Sequence, residues 1–211
     1  VADMDFRSPQ CVIDLAEEIC ADGNFGYGIC PSGLYDVVIS RTQELYDWSI
    51  NQNWITWLPG MVCGLNVTCR AFEKEARQVI TNTPVYPPFL SAPGNFGIAS
   101  TRIPMLLEND RFTIDFDKLN NLETQEGDLF MLCHPHNPVG TNFSREELVK
   151  LGEYIIERGL FICSDEIHCD LILDSGLKHI PFASLSEQIA DRTITLMAPS
   201  KTFNLPGFRC S

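Results

Sequence analysis

The chain has 211 residues, 45% of them apolar and 20% charged, which is the balance of an ordinary globular domain able to bury a sizeable core. Acidic residues outnumber basic ones, 28 to 15, so a folded surface repels phosphate backbones and anionic headgroups, which argues against nucleic acid and membranes as partners. No stretch approaches the ~20 consecutive apolar residues of a membrane-spanning helix, and residues 1–5 lack the basic start and apolar run of a secretory signal, so a cytoplasmic protein is expected.

In chain order, residues 9–22 place Val12, Ile13, Leu15, Ala16 and Ile19 at helical spacing, and Gly23 ends the pattern, which predicts an amphipathic helix. A glycine-rich loop, Gly23-Asn24-Phe25-Gly26-Tyr27-Gly28, leads to a second helix over residues 34–51, with Leu34, Val37, Val38, Leu45 and Trp48 on its apolar side. Five short apolar runs then read as strands buried on both faces: residues 54–58, 78–81, 129–133, 160–163 and 193–197. Helical patterns separate most of them. One covers residues 61–72, and the clearest, 144–158, opens on a capping box of Ser144 and Glu147. This alternation predicts an α/β fold with a mostly parallel sheet and helices on both faces, in which ligands gather outside the carboxyl ends of the strands. The chain starts at Val1 and stops at Ser211 directly after its most reactive segment, so a piece of a longer protein, incomplete at the C-terminus, is expected.

The nine cysteines are odd in number and form no CxxC pair, while Cys20, Cys63, Cys69, Cys133 and Cys163 lie in or beside apolar runs, which favours buried free thiols over disulfides. A zinc site drawn from Cys133, His134, His136, Cys163, His168 and Cys169 matches no common ligand spacing, and no metal is expected. Gly26 and Gly28 follow a helix and lack the third glycine of a dinucleotide fingerprint. No GxSxG elbow occurs.

The strand ends hold the chemistry. Lys201 follows a buried run, where loss of hydration lowers an amine's pKa and frees its lone pair for attack on a carbonyl, although a lone lysine is ordinarily a surface residue. Asp165 ends another run, where a carboxylate can hold the ring nitrogen of a pyridine cofactor protonated; taken alone it can equally cap a helix. Asn137, flanked by prolines, and His168 can hydrogen-bond a phenolic oxygen on such a ring, and Tyr86 can stack on its face. Pro59-Gly60-Met61-Val62 leads into a helix whose free N–H groups suit an anion, to which Ser200 and Arg209 can add a hydroxyl and a guanidinium. Singly, each fits a packed or turn-forming side chain. Together they converge on one sheet edge.

The segments Ala2-Asp3-Met4-Asp5-Phe6, Phe25-Gly26-Tyr27, Thr83-Pro84-Val85-Tyr86, His136-Asn137-Pro138-Val139-Gly140, Ser164-Asp165-Glu166-Ile167-His168 and Ser200-Lys201-Thr202-Phe203-Asn204 resemble the pyridoxal-phosphate-dependent aminotransferase class I and II superfamily. Within it they are similar to the cystathionine β-lyase or C–S lyase branch. The resemblance implies a three-layer α/β/α large domain over residues 25–211, an N-terminal segment of residues 1–24 and a homodimer. It makes Lys201 the residue that holds pyridoxal 5′-phosphate as a Schiff base, with Asp165 on the ring nitrogen and Tyr86 stacked on the ring. Lys201, Asp165 and Tyr86 would form the catalytic set. Asn137 and His168 would flank the ring oxygen, the amides of Met61 and Val62 with Ser200 would cradle the phosphate, and Tyr27 would reach the phosphate of the neighbouring subunit. Arg209 stands where many aminotransferases place a phosphate-binding arginine, a position that varies in the lyase branch. The implied activity is β-elimination from a cysteine S-conjugate; an aminotransferase, or a non-catalytic relative acting as a binding module, are the alternatives.

Overall fold

The computed structural model describes residues 3–211. Two helices open it, α1 (Gln10–Asp22) and α2 (Ser32–Tyr46). α1 ends where its pattern predicts, because Gly23 takes φ 71° and its N–H caps the Ile19 carbonyl. α2 stops short of residue 51, because Asp47 turns into the left-handed region at φ 52°. Residues 54–58 do not form the expected strand: Gln52–Trp54 is a 3₁₀ turn, and Leu58 exchanges backbone hydrogen bonds of 2.7 and 3.0 Å with Ser211 instead of joining the sheet. An apolar run becomes a strand where a neighbour offers a ladder, and the sheet's edge lies elsewhere.

The remaining elements are α3 (Met61–Ala71), β1 (Gln78–Thr83), α4 (Pro88–Ser91), β2 (Ala99–Pro104), β3 (Leu106–Glu108), β4 (Arg111–Thr113), α5 (Phe116–Asn120), β5 (Leu129–Cys133), α6 (Arg145–Glu157), β6 (Phe161–Asp165), α7 (Glu187–Ala190), β7 (Thr193–Leu196) and α8 (Pro199–Thr202). The five-stranded sheet runs β2-β1-β5-β6-β7 with every pair parallel. β3 and β4 form a separate antiparallel hairpin.

Alternation along the strands sorts the core into two layers. Ile80, Phe130, Leu132 and Ile162 pack with Leu148, Leu151 and Ile155 of α6, while Val79, Met131, Cys133, Cys163 and Leu196 pack with Met61, Leu65 and Cys69 of α3. This is the three-layer α/β/α arrangement. α6 starts on the expected capping box, Ser144 accepting from the Glu147 N–H and Glu147 from the Ser144 N–H. Gly152 lets it approach α7, since a Cβ there would sit 2.4 Å from Cδ1 of Ile189. α3 closes the other face, with a Cβ at Gly64 only 3.1 Å from the Leu196 methyls.

All nine cysteines are free; Cys69, Cys133 and Cys163 are buried as expected, whereas Cys63 is half-buried and Cys20 is exposed on α1, whose residues nothing buries. Among the described residues no helix is long and apolar enough to cross a membrane.

Candidate active site

β2 lies on one side of β1 and the later strands on the other, so the winding of the sheet reverses between β1 and β5, the point at whose carboxyl end an open α/β sheet takes its ligand. The loops leaving these two strands meet there: the Tyr86 N–H donates to the Asn137 carbonyl at 3.1 Å. Two histidines fasten the Asn137 loop. His136 Nε2 lies 2.8 Å from the Pro84 carbonyl and His134 Nε2 lies 3.1 Å from that of Ile180. A carbonyl can only accept, so each Nε2 carries a proton. Burial lowers both imidazole pKa values, and for His134 the proximity of His179 adds to the effect. Both rings are therefore neutral Nε2–H tautomers. Cys133, at the end of β5, accepts the Asn137 N–H on its sulfur at 3.3 Å.

Asp165 is the last residue of β6, in register with Cys133 and Leu196, and so faces the α3 side of the sheet. It is 4% exposed, and its carboxylate accepts the Ile167 N–H at 3.2 Å. Burial pushes its pKa up to about 7, against the lowering effect of that hydrogen bond. Lys201 lies in α8, one short turn past β7, beside the buried Ser200. His168 is half-buried, and its pKa is lowered by burial and then by the charge of Lys201, which puts these two groups in one electrostatic environment. Asn137 and His168 share the lining of a cleft of about 440 Å³ with Gly140, Asn142 and Leu171.

Gly60 precedes α3 at φ 106°, a conformation that favours glycine, and no side chain caps the helix. Met61 and Val62 thus stand in an uncapped first turn, where helical N–H groups have no partner within the helix; Met61 is buried and Val62 exposed. The Arg209 backbone lies against this turn, its Cβ 3.9 Å from the position a Gly60 Cβ would take. The structure thus assembles Asp165, His168, Asn137, the start of α3 and the turns carrying Lys201, Ser200 and Arg209. The Tyr86 ring stays exposed at the rim. Tyr27 is not brought in; it is fully exposed in the loop between α1 and α2.

Two features escape a reading of the sequence. Glu166 is fully buried and accepts from Ser164 Oγ at 2.8 Å, the Phe182 N–H at 2.9 Å and His179 Nε2 at 2.6 Å, directly behind Asp165. Asp170 gathers Arg41 at 2.8 Å, Thr202 at 2.6 Å and the Tyr46 hydroxyl. A glutamate in an apolar segment hints at the first; nothing local signals the second, whose partners lie far away in the chain. No group of three or more His, Cys, Asp or Glu among the described residues is arranged to hold a metal ion.

Comparison with known proteins places these features in context. The family model for aminotransferase class I and II matches residues 9–211. Cystathionine beta-lyase PatB of Bacillus subtilis is 42% identical over 215 residues, an overlap of 100% of this chain and 54% of that protein. Cystalysin from Treponema denticola, whose crystal structure contains pyridoxal 5′-phosphate, superposes with a TM-score of 0.92 at 35% identity, covering 100% of this chain and 54% of that one. The crystal structure of OvoB gives a TM-score of 0.94 at 41% identity, covering 100% and 55%. The chain spans about half the length of the curated relatives it matches.

Proposed function

The chain belongs to the aminotransferase class I and II family, and from that premise we propose that the whole protein is a pyridoxal-phosphate-dependent carbon–sulfur β-lyase that splits a cysteine S-conjugate such as cystathionine into a thiol, pyruvate and ammonia. The observation that carries the choice is the 42% identity, over the entire chain, to a cystathionine beta-lyase.

The residues at the sheet edge fit the cofactor. A carboxylate whose pKa burial has raised to about 7 gains from a cationic N–H placed against it, which suits Asp165 to a pyridine nitrogen. An uncapped helix start with a positive-φ glycine suits Met61, Val62, Ser200 and Arg209 to a phosphate. Asn137 and His168 would flank the ring oxygen, Tyr86 would cover the ring, and Lys201 would carry the cofactor. When bound, the cofactor supplies a conjugated ring that takes up the electron pair left behind when the Cα proton departs.

The chain's own groups do the rest. Lys201 accepts the Cα proton as general base, which requires its neutral amine. The neutral imidazole of His168 offers a hydrogen bond without adding a positive charge beside that amine. His134 and His136, locked as neutral donors to Ile180 and Pro84, hold the Asn137 loop still. Residues 1–24 act in this reading as an N-terminal segment and residues 25–211 as the cofactor-binding domain, and Tyr27, exposed here, completes the site of a second subunit in a homodimer.

Borohydride treatment of the whole protein should fix the cofactor's mass on the Lys201 peptide, and cystathionine should yield pyruvate. A label on another lysine would remove the assignment. If amino acid and 2-oxoglutarate exchange an amino group while cystathionine yields no pyruvate, the protein is an aminotransferase.

A further inference from the structure

The three residues after Lys201 reach toward two pieces of the N-terminal region, Thr202 and Phe203 toward α2 and Asn204 toward residues 4–8. Thr202 donates to Asp170, which also holds Arg41 and Tyr46 of α2. The Phe203 ring lies under the Arg41 guanidinium, 5.7 Å from its centroid. Asn204 does the most. Its amide accepts the Met4 N–H at 3.0 Å and donates to the carbonyls of Met4 at 2.8 Å and Phe6 at 2.7 Å, while its own carbonyl accepts the Ser8 hydroxyl at 2.9 Å. An asparagine can do this because donors and acceptor share one end of a short side chain, and it tolerates the left-handed φ of 54° found here.

Apolar burial does not hold this strap. Residues 3–7 are exposed and the adjoining α1 buries no residue. Directed hydrogen bonds are what remain to fix its position. The strap carries the exposed Asp3, Asp5 and Arg7, and it is tied to Asn204, three residues past Lys201.

We propose that Asn204 is a positioning residue: it clasps the strap of residues 3–8 to the Lys201 turn, so that the strap forms one wall of the space in which the amino-acid substrate meets that lysine. The inference rests on the lyase reading for its substrate and on the hydrogen bonds alone for its clasp.

Asn204→Gly separates clasp from turn, because glycine accepts the positive φ but has no amide. In the whole cofactor-loaded protein, amide hydrogen exchange in the strap peptide should speed up at least about tenfold in this variant, as expected when several net hydrogen bonds are lost together. Lys201 should still take the borohydride label. KM for cystathionine should rise by about tenfold with kcat within about threefold, the pattern of a lost binding contact rather than a lost catalytic one. Ser8→Ala, which removes one of the four bonds, should shift exchange and KM the same way by less. Unchanged strap exchange in Asn204→Gly overturns the clasp, and faster exchange with unchanged KM overturns the wall. If the parent protein shows neither label nor turnover, the lyase reading fails and takes the wall with it, while exchange still decides the clasp.

Discussion

From α3 onward the molecule buries both faces of a sheet, with Phe130 and Leu132 against α6 and Met131 and Cys163 against α3, whereas α1 buries no residue and leaves Leu15 and Ile19 exposed. Both regions show apolar residues at regular spacing in the sequence. The difference teaches that such spacing marks a face that needs covering without saying what covers it. It also divides the labour: the sheet edge carries Asp165, Asn137 and the Lys201 turn on a packed core, while residues 3–8 are joined to that turn by the hydrogen bonds of Asn204. Such contacts are individually modest and easily exchanged with water.

The largest test of this division is chemical. Lys201→Ala should remove the covalent cofactor and lower lyase turnover by about 10³-fold or more, the scale of a lost general base. Asp165→Ala should keep the label on Lys201 yet slow turnover comparably, measured as pyruvate release. If Asp165→Ala turns over normally, the sheet edge is not where the chemistry is held.

Next in size is the core. Phe130 is fully buried between β5 and α6, so Phe130→Ala should cost about 3–5 kcal/mol, read from the urea midpoint at constant m. A cost below about 1 kcal/mol would mean that the layer collapses around the void and that the sheet is not the rigid half of the comparison.

How much of this could be read beforehand follows from the same contrast. β5 was legible to the residue, because a continuous apolar run with both faces covered looks the same wherever it sits, and α6 was legible through Ser144 and Glu147. β2 was not, since an edge strand with one buried residue in six carries no such run. The β3-β4 hairpin turns through Asn109 and Asp110, both at positive φ, a pair tolerant of that conformation but weaker as a signal than Asn-Gly. Residues 54–58 had the run without the neighbour. For the candidate site, the strand-end rule singled out Asp165, Lys201 and Asn137, because each is local to a strand. It missed Asp170, His179 and the clasp by Asn204, whose meaning lies in partners 13 to 200 positions away.

A third test uses pH. Burial raises the Asp165 pKa from 3.8 to about 7, so the fold favours its protonated form. That contribution is full below about pH 4 and is lost as pH rises through 7. His134 and His136 run the other way: their lowered pKa values give a contribution that is full above 6.5 and lost as pH falls below it. Asp165→Asn isolates the first effect. In the cofactor-free protein the parent should lose stability relative to this variant by roughly 1.4 kcal/mol per pH unit between pH 4 and 7, the value of one proton. Urea midpoints measured at each pH check this, and parallel curves would mean that Asp165 is not a desolvated carboxyl.

The smallest expected effect bears on the comparison most directly. Leu15 and Ile19 lie on the apolar side of α1, 55% and 46% exposed. Truncating both to Ala removes side chains that touch little and replaces them with the residue of highest helix propensity. The two consequences oppose each other, so the stability of residues 1–211 should change by less than about 0.5 kcal/mol, as for surface substitutions elsewhere. Val12, Ile13 and Ala16 would remain, so the helix keeps its pattern and the test reads contact rather than folding of the segment. A cost of about 2 kcal/mol or more would place the pair in a packed environment, and α1 would then belong with the sheet rather than with the strap that Asn204 holds.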